Sequence, residues 1–231
     1  MNTLANTPFR LSLLGLILCL VFGHGAFAQT HDSLSLFGSA TPGKQVFTWQ
    51  QSVAPSALIA AGTAISFSPL HQSFDVDLRD WLQRNGHSRF EIENTVQYAP
   101  LASVFLLKAC GIESKHNWCD LVCLEAGASL IAFAFNSGLK FTLDVERPYP
   151  GVYTSFPSGH TVTAFLGAEI LRREYGEKYP AIAIAGYTVA TGVGFMRMYN
   201  NRHWASDVLA GAGVGILSAS LMYWLAPYLT F

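Results

Sequence analysis

Three patches of the chain carry residue types that phosphate chemistry needs. The first, Lys140-Phe-Thr-Leu-Asp-Val-Glu-Arg147-Pro148, sets two cations just past an apolar run. The second, Pro157-Ser158-Gly159-His160, opens the next apolar run. At the head of a helix it would offer an anion the positive helix end, free backbone N–H groups and a titratable imidazole. The same residues also suit an ordinary capped helix start, with Ser158 accepting from first-turn N–H groups. The third patch runs Arg197-Met-Tyr-Asn-Asn-Arg202-His203-Trp-Ala-Ser-Asp207. His203 and Asp207 stand one helical turn apart, so the carboxylate can hold one ring nitrogen and leave the other as a nucleophile. A plain helix-stabilising pair is the alternative. Tyr199, Asn200, Asn201 and Arg202 crowd this patch, either to read a substrate beyond its phosphate or to cap the following helix.

Apolar elements must bring these patches together. Apolar stretches recur at 53–70, 97–112, 119–139, 160–171, 179–196 and 205–228, and Gly211-Ala-Gly-Val-Gly215 has the small residues that let helices pack closely in a membrane. The expected fold is an all-α integral-membrane bundle of about five or six helices, with the three patches at its periplasmic ends. The composition agrees, being 51% apolar and 13% charged against roughly 25% charged in an average soluble domain. It excludes a disordered chain. A net charge of -1 gives no overall pull toward nucleic acid, so anion chemistry must rest on a local cluster of cations.

Lys108, Glu125 and Glu169 interrupt the apolar runs and keep a soluble, exported helical protein open. Residues 74–94 mix eight acids and bases, among them Asp75, Glu91 and Glu93, with Trp81, Leu82 and Phe90. That mixture suits an amphipathic helical region at an interface or a plain solvated helix. No CxxC pair and no Cys/His ligand spacing is present, so neither a disulfide framework nor a metal site is expected. Cys110, Cys119 and Cys123 read as small core hydrophobes. His31, His71, His87 and His116 fall outside the three patches and receive no role.

The first 28 residues have the form of a secretory signal peptide: Arg10, the apolar run Leu11 to Phe22, and the small-x-small site Ala26-Phe27-Ala28. An uncleaved signal anchor is the alternative. A polar lead-in over 29–52 and a functional domain over 53–231 would follow. Arg172, Arg173 and Lys178 mark one loop as cytoplasmic by the positive-inside rule, which puts all three patches on the periplasmic side of a bacterial inner membrane. A cleaved leader starts the mature chain in the periplasm, so an even number of crossings must precede Lys140. Three apolar stretches do, and 53–70 is therefore expected not to span, leaving five crossings.

Order and spacing together resemble the type 2 phosphatidic acid phosphatase superfamily, whose signature is Lys-x6-Arg-Pro, then Pro-Ser-Gly-His, then Ser-Arg-x5-His-x3-Asp. Lys140, Arg147 and Pro148 match the first motif, Pro157 to His160 the second, and Arg197, His203 and Asp207 the third. Met196 stands where the family has Ser. The resemblance covers roughly residues 97–228 and is nearest to exported bacterial lipid A 4'-phosphatase-like members. It implies a phosphatase without metal or cofactor that works through a phosphohistidine. His203 would attack, Asp207 would orient it, and His160 would protonate the leaving oxygen. Lys140, Arg147, Ser158, Gly159 and Arg197 would hold the phosphoryl oxygens. The implied partners are the membrane and a lipid phosphate: lipid A 4'-phosphate first, with undecaprenyl pyrophosphate and phosphatidylglycerophosphate as candidates. Three rivals remain: a soluble periplasmic acid phosphatase of the same superfamily, a vanadate-dependent haloperoxidase using the same residue pattern, and a non-catalytic small membrane protein.

Overall fold

In the computed structural model residues 49–84 and 91–229 are described, and every regular element among them is helical. α1 (Gln50–Ser66) leads into a π-helical turn (His71–Val76) and α2 (Asp77–Gln83). Then come α3 (Glu93–Val96), α4 (Ala99–Ala109), α5 (Trp118–Leu143), α6 (Gly159–Tyr175), α7 (Pro180–Tyr199), α8 (Ala205–Leu225) and a 3-10 turn (Ala226–Tyr228). The all-α bundle is as expected. The leader over 1–28 and the lead-in as far as residue 48 lie outside the described residues.

Local signals set the boundaries. Asn117 caps α5 by accepting from Asp120 N at 3.0 Å, and Asp144 ends it in the left-handed region at φ 40. Prolines open α4 and α7, where a missing N–H costs nothing. α6 lies at the centre, with 12 of its 17 residues buried, and it shares the core with Val104 of α4, Leu121 and Leu124 of α5, and Val214 and Tyr223 of α8. The glycines of α8 permit this. A Cβ on Gly215 would sit 2.4 Å from Val162 O of α6, and one on Gly213 would sit 2.5 Å from Pro55 O of α1. Close backbone approach thus occurs on two faces of the same helix.

Among the described residues three helices are long and apolar enough to cross a membrane: Trp118–Leu143, Pro180–Tyr199 and the stretch Ala205–Tyr228. α1 qualifies with its continuation His71–Gln83, beyond a 95° bend. The outer surface is itself apolar, with Leu130 68%, Phe133 69% and Ile184 59% exposed. Side chains of this kind over a wide area belong against lipid. Two of the charges that interrupt the apolar runs are accounted for without water. Lys108 bonds Ser114 Oγ and His116 O at the end of α4, and Glu169 is 2% exposed among Arg172, Arg173 and Tyr187.

Contacts along α6 show how the chain runs between the two ends of the bundle. Gln51 bonds Arg173 while Gly62 abuts Ser206, so α1 runs the full length. The segment from Asn94 to His116 does too, meeting His160, Gly167, Tyr175 and Glu174 in turn. With α5 to α8 the described chain makes six antiparallel passes. The expectation that 53–70 does not traverse is therefore corrected. Its premise of three equivalent stretches before Lys140 missed that α4, at 11 residues, is only about 16 Å long, and that the α3 segment completes its pass. Cys110 and Cys119 are exposed, not core residues, because the bundle turns apolar side chains outward. Nor do the described residues of 74–94 present all their charges to an interface: Asp75 in the π-helical turn and Glu93 in α3 are each 1% exposed, and both carboxylates point into protein.

Candidate active site

All three patches converge at one end of the bundle, where α5 and α7 end and α6 and α8 begin. Lys140 stands in the last turn of α5 and Arg197 in the last turn of α7. Ser158 and Gly159 open α6, and Asp207 lies in the first turn of α8. Antiparallel packing places these four helix ends side by side. The loop 144–158 then folds across them, with Ser158 N donating to Asp207 O at 3.0 Å.

His203 and Asp207 are 3% and 0% exposed, and His203 Nδ1 lies 3.3 Å from Asp207 Oδ2. The pair is not one helical turn, as the spacing predicts, because His203 precedes α8. Asp207 instead reaches back over the helix start, accepting from Trp204 N at 2.8 Å and from Ser155 Oγ at 2.5 Å. All three contacts fall on one oxygen. Because Oδ2 faces Nδ1, the proton of neutral His203 sits on Nδ1 and the lone pair on Nε2. Burial, reinforced by Arg147, Arg197 and Lys140, holds the imidazole well below the usual histidine range, so the ring is neutral and nucleophilic near pH 7.

The cations surround this pair. Lys140 Nζ donates to Thr154 O and Pro157 O, both at 2.7 Å, which pins the loop bearing the second patch. Arg147 and Arg202 lie on the ring of Tyr149, each 5.9 Å from its centroid. Arg202 also pairs with Glu91. Arg147 Nε and Arg197 Nε are buried donors with no protein acceptor, the condition that a bound oxyanion relieves. Ser158 makes no capping bond to α6. Its hydroxyl accepts from Thr161 at 2.9 Å, so the plain helix-cap reading fails. Gly159 contributes a first-turn N–H, which has no intrahelical acceptor.

Every residue expected at the site is present in this cluster, and the structure adds four. Ser155 joins Asp207. Asp75 accepts from Ser206 N and Oγ at 2.9 and 2.6 Å, holding the start of α8. Glu93 Oε1 accepts from Arg197 at 3.2 Å and from Asn200 at 2.8 Å. Asn94 Oδ1 lies 2.9 Å from His160 Nε2. The only sequence signal for Asp75 and Glu93 is electrostatic, since so many cations in one place need counter-charges, but the pattern does not say which carboxylates supply them; Ser155 and Asn94 are neutral and carry no such signal.

Residues 121–231 match the PAP2 superfamily. Over 199 residues, 84% of this chain, the sequence is 35% identical to Lipid A 1-phosphatase of Porphyromonas gingivalis. The chain spans 43% of that relative's length. A shorter stretch of 80 residues is 38% identical to Bacitracin transport permease protein BcrC of Bacillus licheniformis, covering 33% of this chain and 36% of that one. Among solved structures, LpxE of Aquifex aeolicus superposes with a TM-score of 0.52 at 23% identity, over 68% of this chain and 97% of that chain. The PAP2 type phosphatidylglycerolphosphate phosphatase of Bacillus subtilis superposes with a TM-score of 0.57 at 21% identity, over 78% and 98%.

Proposed function

Since residues 121–231 are a PAP2 superfamily domain, we propose that this chain is a membrane phosphatase that hydrolyses a lipid phosphate through a phosphohistidine at His203. The observation that carries the reading is the buried His203–Asp207 pair beside Lys140, Arg147 and Arg197, at one end of a bundle with an apolar exterior. Nε2 of His203 attacks phosphorus, and the N–P bond forms as the P–O ester bond breaks. His160 gives its proton to the leaving oxygen. Asp207 stabilises the positive ring that results. Water then attacks phosphorus and gives a proton to His160. The N–P bond breaks and inorganic phosphate leaves. Lys140, Arg147 and Arg197, with the Ser158 hydroxyl and the Gly159 N–H, stabilise the charge on the equatorial oxygens.

Lipid A is the leading substrate. Between its two phosphates, the 35% identical relative, named for the 1-position, favours that one over the 4'-position expected from the motifs. The test is phosphate release in detergent with EDTA present. Substrates are lipid A carrying either phosphate, undecaprenyl pyrophosphate, phosphatidylglycerophosphate and a soluble aryl phosphate. EDTA-resistant release that vanishes in His203→Ala is expected, with an acid-labile phosphoenzyme in the wild type. Equal release by the two proteins would overturn the mechanism.

Arg172 and Arg173 in the last turn of α6, with Lys178 in the loop that follows, support a site facing the periplasm. Six passes then put Gln50 on the cytoplasmic side. A leader cleaved after Ala28 fits that orientation only with one further crossing before Gln50. Impermeant thiol labelling of Glu177→Cys in intact cells, in a background without native cysteines, is expected to fail. Efficient labelling would reverse the orientation.

A further inference from the structure

We propose that Asn94 and Glu93, which lie outside all three motif patches and N-terminal to the matched superfamily region, are positioning residues that complete the catalytic centre. The proposal rests on the phosphatase reading above. Asn94 Oδ1 faces two donors, His160 Nε2 at 2.9 Å and Arg197 NH1 at 3.4 Å. A guanidinium offers no acceptor, so the amide atom facing it is the oxygen. His160 Nε2 must therefore carry a hydrogen, since an oxygen accepts only from a donor. Asn94 thus fixes the orientation of the ring with Nε2–H held by the amide, which leaves Nδ1 as the nitrogen that gives a proton to the leaving group.

Glu93 acts on the other partner. Its buried carboxylate accepts from Arg197 NH1 and Asn200 Nδ2, spanning the end of α7 and leaving Arg197 Nε unpartnered in the protein. Neighbouring side chains thus set the acid and one phosphate-holding cation. The charged and titratable groups facing His160 are Arg197 of α7, Glu93 of α3, His203 ahead of α8, and Arg147 of the loop before α6. Asn94 is the neutral acceptor among them.

Asn94 is exposed, so Asn94→Ala is expected to fold and melt like the wild type. It should lower kcat roughly tenfold or more, out of the ~10²–10⁴ that general acid catalysis supplies, with a smaller change in KM. Asn94→Asp keeps the acceptor and adds a negative charge. It should recover kcat relative to the alanine variant and move the alkaline limb of the pH–rate profile to higher pH. Glu93→Gln should raise KM more than it lowers kcat. A purely structural role would lower the melting temperature and the folded yield, leaving kcat, KM and the pH profile of the folded enzyme unchanged. That result, or wild-type kcat and pH profile in Asn94→Ala, overturns the inference. Running wild type and His203→Ala in the same assay separates the two levels. An inactive wild type, or an active His203→Ala, takes down the phosphatase reading and this proposal together. An active wild type, an inactive His203→Ala and an unchanged Asn94→Ala remove this proposal alone.

Discussion

Asp207→Asn tests how the carboxylate assists the nucleophile. Three contacts, from Ser155 Oγ, Trp204 N and His203 Nδ1, fall on Oδ2, while Oδ1 is buried without a partner. An asparagine can therefore place its single carbonyl oxygen where Oδ2 stands and keep all three donors, so the orientation of the ring survives. What it removes is the negative charge 3.3 Å from the ring. At an effective dielectric near 20 such a pair is worth about 5 kcal/mol, which corresponds to roughly 10³- to 10⁴-fold in kcat. His203 is neutral before reaction, so the loss falls on the transition state and KM should move little. Ser155→Ala keeps the charge and deletes one donor to it, a bond worth about 1.5–3 kcal/mol shared between folding and catalysis. Its cost in kcat should be at most about tenfold, with a lowered melting temperature. The assay is initial-rate phosphate release in detergent, with kcat and KM resolved for both variants. Asp207→Asn within about tenfold of wild type, or Ser155→Ala slower than Asp207→Asn, would refute the assignment of the charge as the main contribution.

Other outcomes follow from single contacts. Because burial and three cations hold the His203 imidazole well below the ordinary histidine range, it stays deprotonated as pH falls, and protonation of this ring should set no limb of kcat/KM near pH 6.5; a nucleophile limb at 6.5 would contradict this. Gly215→Ala must push against Val162 O at 2.4 Å and should destabilise by about 1–3 kcal/mol, whereas Gly192→Ala meets nothing within 4 Å and should be neutral or stabilising; thermal melts in detergent give the comparison. His116, bonded to Glu174 at 2.7 Å, has its pKa raised, chiefly by that hydrogen bond. The pair therefore stabilises the fold fully below pH 6.5, and the contribution is lost as pH rises through the folded value. His116→Gln should flatten the fall in melting temperature as pH rises above 6.5, and an unchanged slope would sink the assignment.

The helices and the three patches were legible because both signals are local. Apolar runs mark the elements, and fixed spacings put Lys140, His160, Arg197 and Asp207 at helix ends that antiparallel packing must align. What escaped depends on contacts between distant parts of the chain. Glu93 and Asn94 sit among eight acids and bases in residues 74–94, and nothing in their spacing sets them apart from Asp80 or Glu91. Arg172 and Arg173 read as free loop charges, but both turn back onto Glu169. Three apolar stretches before Lys140 look equivalent until their helix lengths are known, and so the count of passes was missed. Ser155 lies beside a motif and carries no signal of its own until the loop folds over Asp207.

The central helix has a consequence for how the protein is made. α6 carries Glu169, Arg172, Arg173 and Glu174 near its C-terminal end and His160 at its start, and charged side chains that find no partner are costly to carry into a bilayer. Glu169 pairs within the helix with Arg172 and Arg173, and further polar partners come from other passes: Gln51 of α1, His116 before α5, Tyr187 of α7, and Ser220 and Tyr223 of α8. Such a segment is not recruited into a bilayer by its own greasiness. Its polar contacts are complete only once α7 and α8 are present, since Tyr187, Ser220 and Tyr223 belong to them. A reporter spliced in after Tyr175 removes those last two helices and would record the fate of an abandoned intermediate, which is why orientation is best measured on the full-length chain.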